Sequence, residues 1–192
     1  MKRIIYLFVF EGFADWEPSY ATAEIQKSSR YQIRTVGLTS DPIRSMGGLT
    51  ILPDYTVEEV ETGNAAMLIL PGGEAWEQKK LTDIQTLVLQ FHKSNLPIAA
   101  ICAATTFLGD IGLLNAISHT SNAKFYLESI SPNYKGQNYY AEESAVTDQR
   151  IITANGISPI EFAREIMRIL GIYDEQKLEQ WYQVFKYGVW TE

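Results

Sequence analysis

The stretch that decides the fold is "AAICAATTFLG", residues 99–109, which contains the only cysteine of the chain. A run of small and β-branched apolar residues ends at Cys102, and apolar residues at helical spacing follow it. Apolar runs without polar alternation are typical of strands buried on both faces of a parallel sheet. The stretch therefore predicts a buried strand that turns directly into a helix, with Cys102 at the turn.

The same kind of strand is predicted elsewhere in the chain. The apolar runs are "IIYLFVF" (4–10), "AAMLILP" (65–71) and "PIAAIC" (97–102), and helical patterns over 17–29 and 78–94 lie between them. Strands that alternate with helices indicate an α/β fold with a mostly parallel sheet. We therefore predict a three-layer, doubly wound domain of the flavodoxin type.

Shorter elements are predicted around this framework. The alternating segment "YQIRTVGL" (31–38) reads as a strand, and Gly-Gly within residues 42–54 indicates a hairpin. Residues 138–155 predict a second hairpin that turns at Asp148. A helix is predicted over 158–170, because Ser and Pro begin it and Gly ends it.

The length of 192 residues fits one α/β domain with a short extension. We assign residues 1–171 to the domain and 172–192 to a C-terminal helix with an apolar face. Packing of that helix on its own domain or on a second subunit is favoured over docking of a different partner.

Composition excludes several classes of partner. The net charge is −7 and no cluster of Lys and Arg occurs, so binding to nucleic acid is not expected. No apolar stretch approaches the roughly 20 residues of a membrane helix, so no membrane association is expected. A single cysteine forms no internal disulfide, and we expect a cytoplasmic protein.

Cys102 has two interpretations. It lies at the carboxyl end of a strand, where ligands bind in open α/β sheets, and at the first turn of a helix, whose unpaired N–H groups favour a thiolate. The small residues Ala100, Ala103 and Ala104 permit a sharp turn like the nucleophile elbow of hydrolases. The alternative is a buried structural thiol, because free cysteine is among the most buried residue types.

Two other loops favour a reactive cysteine, because both should emerge at the same edge of the sheet. "EGFADWEPS" follows the first strand and places Glu17 at a helix start. "LPGGEAW" contains Gly72 and Gly73, whose amides could hold an oxyanion together with the N–H of Ala103. Each loop alone is also explained as an ordinary turn or surface charge.

Together, "FEGFADWEP", "LPGGEAW" and "AAICAATTFLGDIGLLN" resemble the ThiJ/PfpI family over about residues 3–170. The family is related to class I glutamine amidotransferases and includes intracellular cysteine proteases and protein deglycases. The resemblance implies a Cys102 nucleophile on the elbow, an interacting Glu17, an oxyanion hole at the "PGG" loop, no cofactor and a homodimer.

Glu17 must be neutral to help ionise the thiol, because an ionised carboxylate would raise the pKa of Cys102. We hypothesise that burial keeps Glu17 protonated and that Cys102 titrates below a free thiol. His119 is the candidate proton carrier, and a structural histidine is the equal alternative. Counting from "GLLN", however, the histidine that many relatives carry falls on Asn122, and Ala103 replaces the histidine of the protease branch.

The favoured function is a cysteine-dependent hydrolase or related enzyme that acts on a peptide or on a small carbonyl or acyl substrate. The aromatic residues Trp16, Tyr20 and Trp76 would narrow the cleft and so favour the small substrate. The predicted pocket is Trp16, Tyr20, Glu74, Trp76 and Asn122. The alternative is a redox or stress sensor, or a chaperone, that works through oxidation of Cys102. A metal site at Cys102, Glu17 and His119 is not expected, because one cysteine without close ligand spacing is a poor metal motif.

Overall fold

The computed structural model describes residues 2–190, in which strands and helices alternate. The strands are β1 (Arg3–Phe8), β2 (Tyr31–Gly37), β3 (Ile43–Arg44), β4 (Thr50–Ile51), β5 (Tyr55–Thr56), β6 (Ala65–Leu70), β7 (Ile98–Ile101), β8 (Ala145–Asp148) and β9 (Ile151–Ala154). The helices are α1 (Trp16–Lys27), α2 (Glu74–Glu77), α3 (Gln85–Lys93), α4 (Ala104–Asp110), α5 (Lys124–Ile130), α6 (Pro159–Leu170) and α7 (Glu175–Tyr187).

The central sheet has seven strands in the order β5-β2-β1-β6-β7-β9-β8. All neighbouring pairs are parallel except β8 and β9, which form an antiparallel hairpin at one edge. Helices flank the sheet: α1 and α6 pack against each other, and α3 packs against β6 and β7. The predicted α/β fold with a mostly parallel sheet is confirmed.

The apolar runs form the centre of the sheet. Every residue of β6 and of β7 is buried, and so are the last four residues of β1. These runs lack polar alternation because helices cover both faces of a parallel sheet, so neither face of a central strand meets water. The carboxyl ends of β1, β6 and β7 consequently lie side by side at one edge.

The helix predicted over residues 78–94 is wrong at its beginning. A short helix, α2, ends at Glu77. Lys79 then adopts a left-handed conformation with φ +56°, which prevents the helix from continuing. The helix α3 begins only at Gln85, although its predicted apolar face is buried at Leu87, Val88 and Phe91.

Both predicted hairpins form, but the second begins at residue 145 rather than at 138, and its turn is shifted. β3 and β4 make a separate two-stranded sheet in the segment that contains Gly47 and Gly48. The turn between β8 and β9 lies at Gln149 and Arg150, which both have positive φ, rather than at Asp148. Outside the strands, His119 and Tyr140 form a single isolated bridge.

The C-terminal helix α7 packs on α6 of the same chain. Leu178 is fully buried, and the Trp181 ring packs edge-on against Tyr20 of α1, with centroids 6.4 Å apart. Two buried carboxylates accept hydrogen bonds from this end of the chain: Glu24 from the Tyr173 hydroxyl (2.5 Å) and Glu161 from the Tyr182 hydroxyl (2.8 Å). The predicted domain began at residue 1 and the predicted C-terminal helix ended at residue 192. Residue 1 and residues 191–192 lie outside the described residues.

Across residues 2–190, every helix is too short or too polar to cross a membrane.

Substitution of Leu178 by Ala should lower the free energy of unfolding by about 2–5 kcal/mol, because the side chain is fully buried between α7 and the domain. The free energy is measured by urea denaturation. Leu52→Ala is the matched control, since Leu52 is 67% exposed and its truncation should change stability by less than about 0.5 kcal/mol. Equal effects of the two substitutions would show that α7 does not contribute to the core.

Candidate active site

Cys102 occupies a sharp turn between β7, which ends at Ile101, and α4, which begins at Ala104. Its φ of +60° is in the left-handed region, which costs a residue with a side chain about 1–2 kcal/mol. The Cys102 N–H donates to the carbonyl of Ala154 at 2.9 Å, which ties the turn to β9. The side chain is partly exposed, so the thiol is not sealed in the core.

Two glycines leave room for the thiol. A Cβ atom at Gly156 would lie 2.7 Å from the Cys102 sulfur, and one at Gly72 would lie 2.6 Å from the Cys102 Cβ. Any other residue at either position would force the cysteine or its neighbours to move. The site therefore depends on close backbone approach from the loops after β6 and β9.

Glu17 brings a buried carboxyl group to the thiol. It is 1% exposed, and its Oε2 accepts a hydrogen bond from the Gly72 N–H at 2.5 Å. Burial raises the pKa of Glu17 to about 7, although hydrogen bonds from Gly72 and Cys102 oppose the rise. The predicted pairing of Glu17 with Cys102 is thus present, with a carboxyl group that titrates near neutral pH.

The thiol itself is harder to ionise than a free cysteine. Burial raises the pKa of Cys102 to about 11, and the nearby Glu17 carboxylate adds to the rise, while Asn122 and the Ala103 N–H oppose it. The hypothesis that Cys102 titrates below a free thiol is therefore wrong. Two acidic groups share one buried space, so the one that ionises first, Glu17, suppresses ionisation of the other.

Asn122 contacts the sulfur through its side-chain amide. Its Nδ2 donates to the Cys102 sulfur at 3.4 Å, and its Oδ1 accepts from the Gly156 N–H at 2.9 Å. Because the Gly156 N–H needs an acceptor, this contact fixes the amide with its NH₂ group toward the sulfur. An amide donates hydrogen bonds but does not act as a base, so proton transfer falls to another group.

His119 does not serve the thiol. Its Nδ1 donates to the carbonyl of Ile117 at 2.8 Å, and its Nε2 therefore accepts from the Tyr134 hydroxyl at 2.6 Å. The imidazole is fully buried, and burial lowers its pKa, so it is neutral. Both ring nitrogens are occupied, which corrects the predicted role of His119 as a proton carrier and makes it a structural histidine.

The predicted oxyanion donors are only partly available. The Gly72 amide is used by Glu17, so it is not free to bind a substrate oxygen. Among the described residues, the Gly73 amide has no acceptor, and the Ala103 amide points to the sulfur. Gly73 adopts φ +151°, a conformation that favours glycine.

The predicted pocket residues are dispersed. Trp16 is 47% exposed beside Glu17, whereas Tyr20 packs against Trp181 and Phe185 of α7 rather than at the thiol. Trp76 is a core residue that is 2% exposed, and its Nε1–H donates to the carbonyl of Pro71. Glu74 is exposed and lines a different cavity, so the predictions for Tyr20, Glu74 and Trp76 are corrected.

No cluster of three potential ligands among His, Cys, Asp and Glu occurs within residues 2–190. The thiol site therefore offers Cys102 and Glu17 without a third metal-binding side chain beside them.

The DJ-1/PfpI family model matches residues 3–169. The chain belongs to this family. It is 38% identical over 191 residues to the Bacillus subtilis protein named "Uncharacterized protease YoaZ", with 96% of this chain and 91% of the relative covered. It is 28% identical over 153 residues to the "Glutathione-independent glyoxalase DJR-1.2" of Caenorhabditis elegans, with 78% of each chain covered.

Among solved structures, the chain is similar to a ThiJ/PfpI family protein from Bacillus anthracis. The TM-score is 0.93 at 34% identity, and the alignment covers 98% of this chain and 92% of the other. The DJ-1/PfpI fold inferred from the motifs thus extends over nearly the whole chain, including α7.

Three residues at the DJ-1/PfpI site, Gly156, Tyr126 and Glu77, were not anticipated from the sequence. Gly156 lies two residues after the end of β9, at the same sheet edge as the other loops, and a glycine in the loop after a buried strand was the available signal. The Tyr126 hydroxyl donates to Glu77 Oε1 at 2.6 Å, next to Asn122. Burial, followed by Glu77, raises the pKa of Tyr126 above its ordinary range, so its hydroxyl stays protonated.

The left-handed backbone at Cys102 predicts which of two substitutions gives the more stable protein. Cys102→Gly should have a free energy of unfolding about 1 kcal/mol higher than Cys102→Ala, because glycine adopts positive φ without steric cost. Chemical denaturation of both variants measures the difference. Greater stability of the alanine variant would show that the turn is not left-handed in solution.

The raised pKa of Glu17 predicts that the difference in stability between the wild type and Glu17→Gln depends on pH. Its pKa is raised from 4.5 to about 7 on folding, so folding favours the protonated form. The stability of the wild type relative to Glu17→Gln is therefore greatest below pH 4.5 and declines as the pH rises through about 7, by about 3 kcal/mol at most.

Denaturation of the two proteins from pH 4 to 8 measures this decline. Asp41→Asn is the control, because Asp41 is an exposed carboxylate. An unchanging difference between wild type and Glu17→Gln over this range would contradict the raised pKa.

Proposed function

We propose that this protein is a cysteine-dependent enzyme that converts a small 2-oxoaldehyde to a 2-hydroxy acid, as a glyoxalase does. The observation that carries the proposal is a buried Glu17 carboxyl, with a pKa near 7, against the Cys102 thiol, while an amide occupies the histidine position. A general acid–base group is most effective when its pKa lies near the working pH. The glyoxalase-named relative supports the choice of substrate.

The first step is addition of the thiol to the aldehyde carbon. Glu17 as carboxylate takes the thiol proton, the Sγ–C1 bond forms, and the electron pair of the C=O bond moves to oxygen. In this proposal the amides of Gly73 and Ala103 hold that oxygen, and Glu17 returns the proton to it. A high pKa of the resting thiol is compatible with this step, because the proton leaves as sulfur attacks.

The second step moves hydrogen between neighbouring carbons. Glu17 removes the C1 hydrogen of the hemithioacetal as a proton, the C–H electron pair forms a C1=C2 double bond, and the C2=O π pair moves to its oxygen, which takes a proton. The C1 hydroxyl of this enediol then loses its proton to form C1=O, and the C1=C2 pair takes a proton from Glu17 at C2. C1 is thereby oxidised to a thioester and C2 is reduced to an alcohol, so no external oxidant is needed. Water then hydrolyses the thioester and regenerates the Cys102 thiol.

The same geometry is less suited to peptide hydrolysis or to oxidation sensing. An amine leaving group must be protonated, and the histidine that would supply this proton is absent from the thiol, since His119 is bonded elsewhere. Oxidation by peroxide proceeds through the thiolate, and the raised pKa of Cys102 disfavours that form.

Activity toward methylglyoxal should depend on pH and on both acidic groups. kcat/KM should rise as the pH increases through about 7, because the carboxylate form of Glu17 is the active one. Glu17→Gln should reduce kcat/KM by about 10²–10⁴-fold and remove this pH dependence. Cys102→Ser should abolish turnover. The rates of methylglyoxal consumption and lactate formation measure the pH dependence and the effects of both substitutions.

Two further measurements separate the alternatives. Asn122→Leu should reduce kcat/KM by about tenfold, because a hydrogen bond to developing negative charge on sulfur is lost. A panel of fluorogenic peptides is tested in parallel. Peptide cleavage that requires Cys102, without methylglyoxal consumption, would overturn the proposal in favour of a protease.

A further inference from the structure

A second cavity lies at the same edge of the sheet and does not include Cys102. It has a volume of about 560 Å³, within the range of small-molecule sites. Its walls come from the segments that follow β1, β2 and β6, and from the β3–β4 hairpin. The principal apolar lining residues are Val9, Phe10, Leu38, Ile43, Met46 and Leu81.

The position of this cavity in the sheet is the one at which open α/β folds bind ligands. From β1 the chain continues to β2 on one side, and it later returns to β6 on the other side of β1. The order of the strands thus reverses at β1, and the crevice outside the carboxyl ends of the strands at such a point is the general ligand position. The thiol, by contrast, follows β7, on the far side of β6.

The loop after β6 separates the cavity from the thiol. A Cβ atom at Gly72 would contact Cys102 and Glu17, whereas one at Gly73 would lie 2.8 Å from the ring of Phe10, which lines the cavity. The two spaces therefore lie on opposite sides of two adjacent residues. A ligand in the cavity does not need to contact the sulfur.

The charges at the cavity select the class of ligand. Glu11 and Glu74 contribute two carboxylates to the lining, and Lys80 contributes one ammonium. Glu11 accepts a hydrogen bond from the neutral backbone N–H of Arg44 at 2.9 Å. Within residues 2–190, no ion pair neutralises either carboxylate. Apolar walls with an excess of one negative charge suit an apolar molecule that carries a single positive charge.

We propose that this cavity is a binding site for a small organic amine with an apolar body, distinct from the thiol site. The apolar body fills the space between Phe10, Leu38 and Met46, and the ammonium group lies at the Glu11 and Glu74 carboxylates. The inference stands independently of the proposed reaction at Cys102.

The test compares three probes of the same shape and different charge. Tryptamine is a cation at neutral pH, tryptophol is neutral, and indole-3-acetate is an anion. Isothermal titration calorimetry on the full chain should show binding of tryptamine at least about tenfold tighter than tryptophol, and indole-3-acetate should bind more weakly still. Equal affinities for tryptamine and tryptophol, or no binding of any probe, would overturn the proposal.

Variants and a blocked thiol locate the site. Leu38→Trp should abolish tryptamine binding by filling the cavity, whereas Leu52→Trp, on the 67% exposed Leu52, should leave it unchanged. Glu74→Gln should weaken tryptamine but not tryptophol, and circular dichroism verifies that each variant is folded. Alkylation of Cys102 with iodoacetamide at alkaline pH, where the thiolate forms, is verified by mass spectrometry and should leave tryptamine binding at neutral pH intact. Loss of binding after alkylation would place the probe at the thiol and contradict the separate site.

Discussion

The buried carboxyl of Glu17 lies between the Gly72 amide and the Cys102 thiol, and this contact determines the chemistry of the site. Two acidic groups share a space from which water is largely excluded, so only one of them carries a charge near neutral pH. The carboxyl ionises first and the thiol stays protonated. In the proposed reaction, Cys102 therefore transfers its proton to Glu17 as it attacks, rather than acting as a preformed thiolate.

The framework of the fold could be predicted because burial alone determines it. The uninterrupted apolar runs at β1, β6 and β7 have no other stable location than the middle of a parallel sheet. Their order along the chain then brings the loops with Glu17, Gly72 and Cys102 to one edge. Counting residues from "GLLN" also pointed to Asn122 as the residue expected at the thiol, and the structure places the Asn122 amide at the sulfur.

The direction of a side chain, and the partner that a hydrogen-bonding group takes, could not be predicted from the sequence in the same way. His119 has a suitable position in sequence, but its direction depends on Tyr134, which approaches from a different segment. Tyr20 belongs to the helix that carries Glu17, yet the aromatic residues of α7 hold it on the other side. Gly72 appeared free to bind an oxyanion because nothing in the sequence shows that Glu17 takes its amide. Each of these outcomes is set by contacts between distant parts of the chain.

The Gly72–Gly73 loop forms one side of two separate compartments, and it contains no side chain that could absorb a displacement. A side chain at Gly72 would intrude on Cys102 and Glu17, whereas a side chain at Gly73 would intrude on Phe10. Larger residues at these two positions would push the two spaces apart or fill one of them. The pair of glycines is therefore what allows both compartments to lie against a single short stretch of backbone.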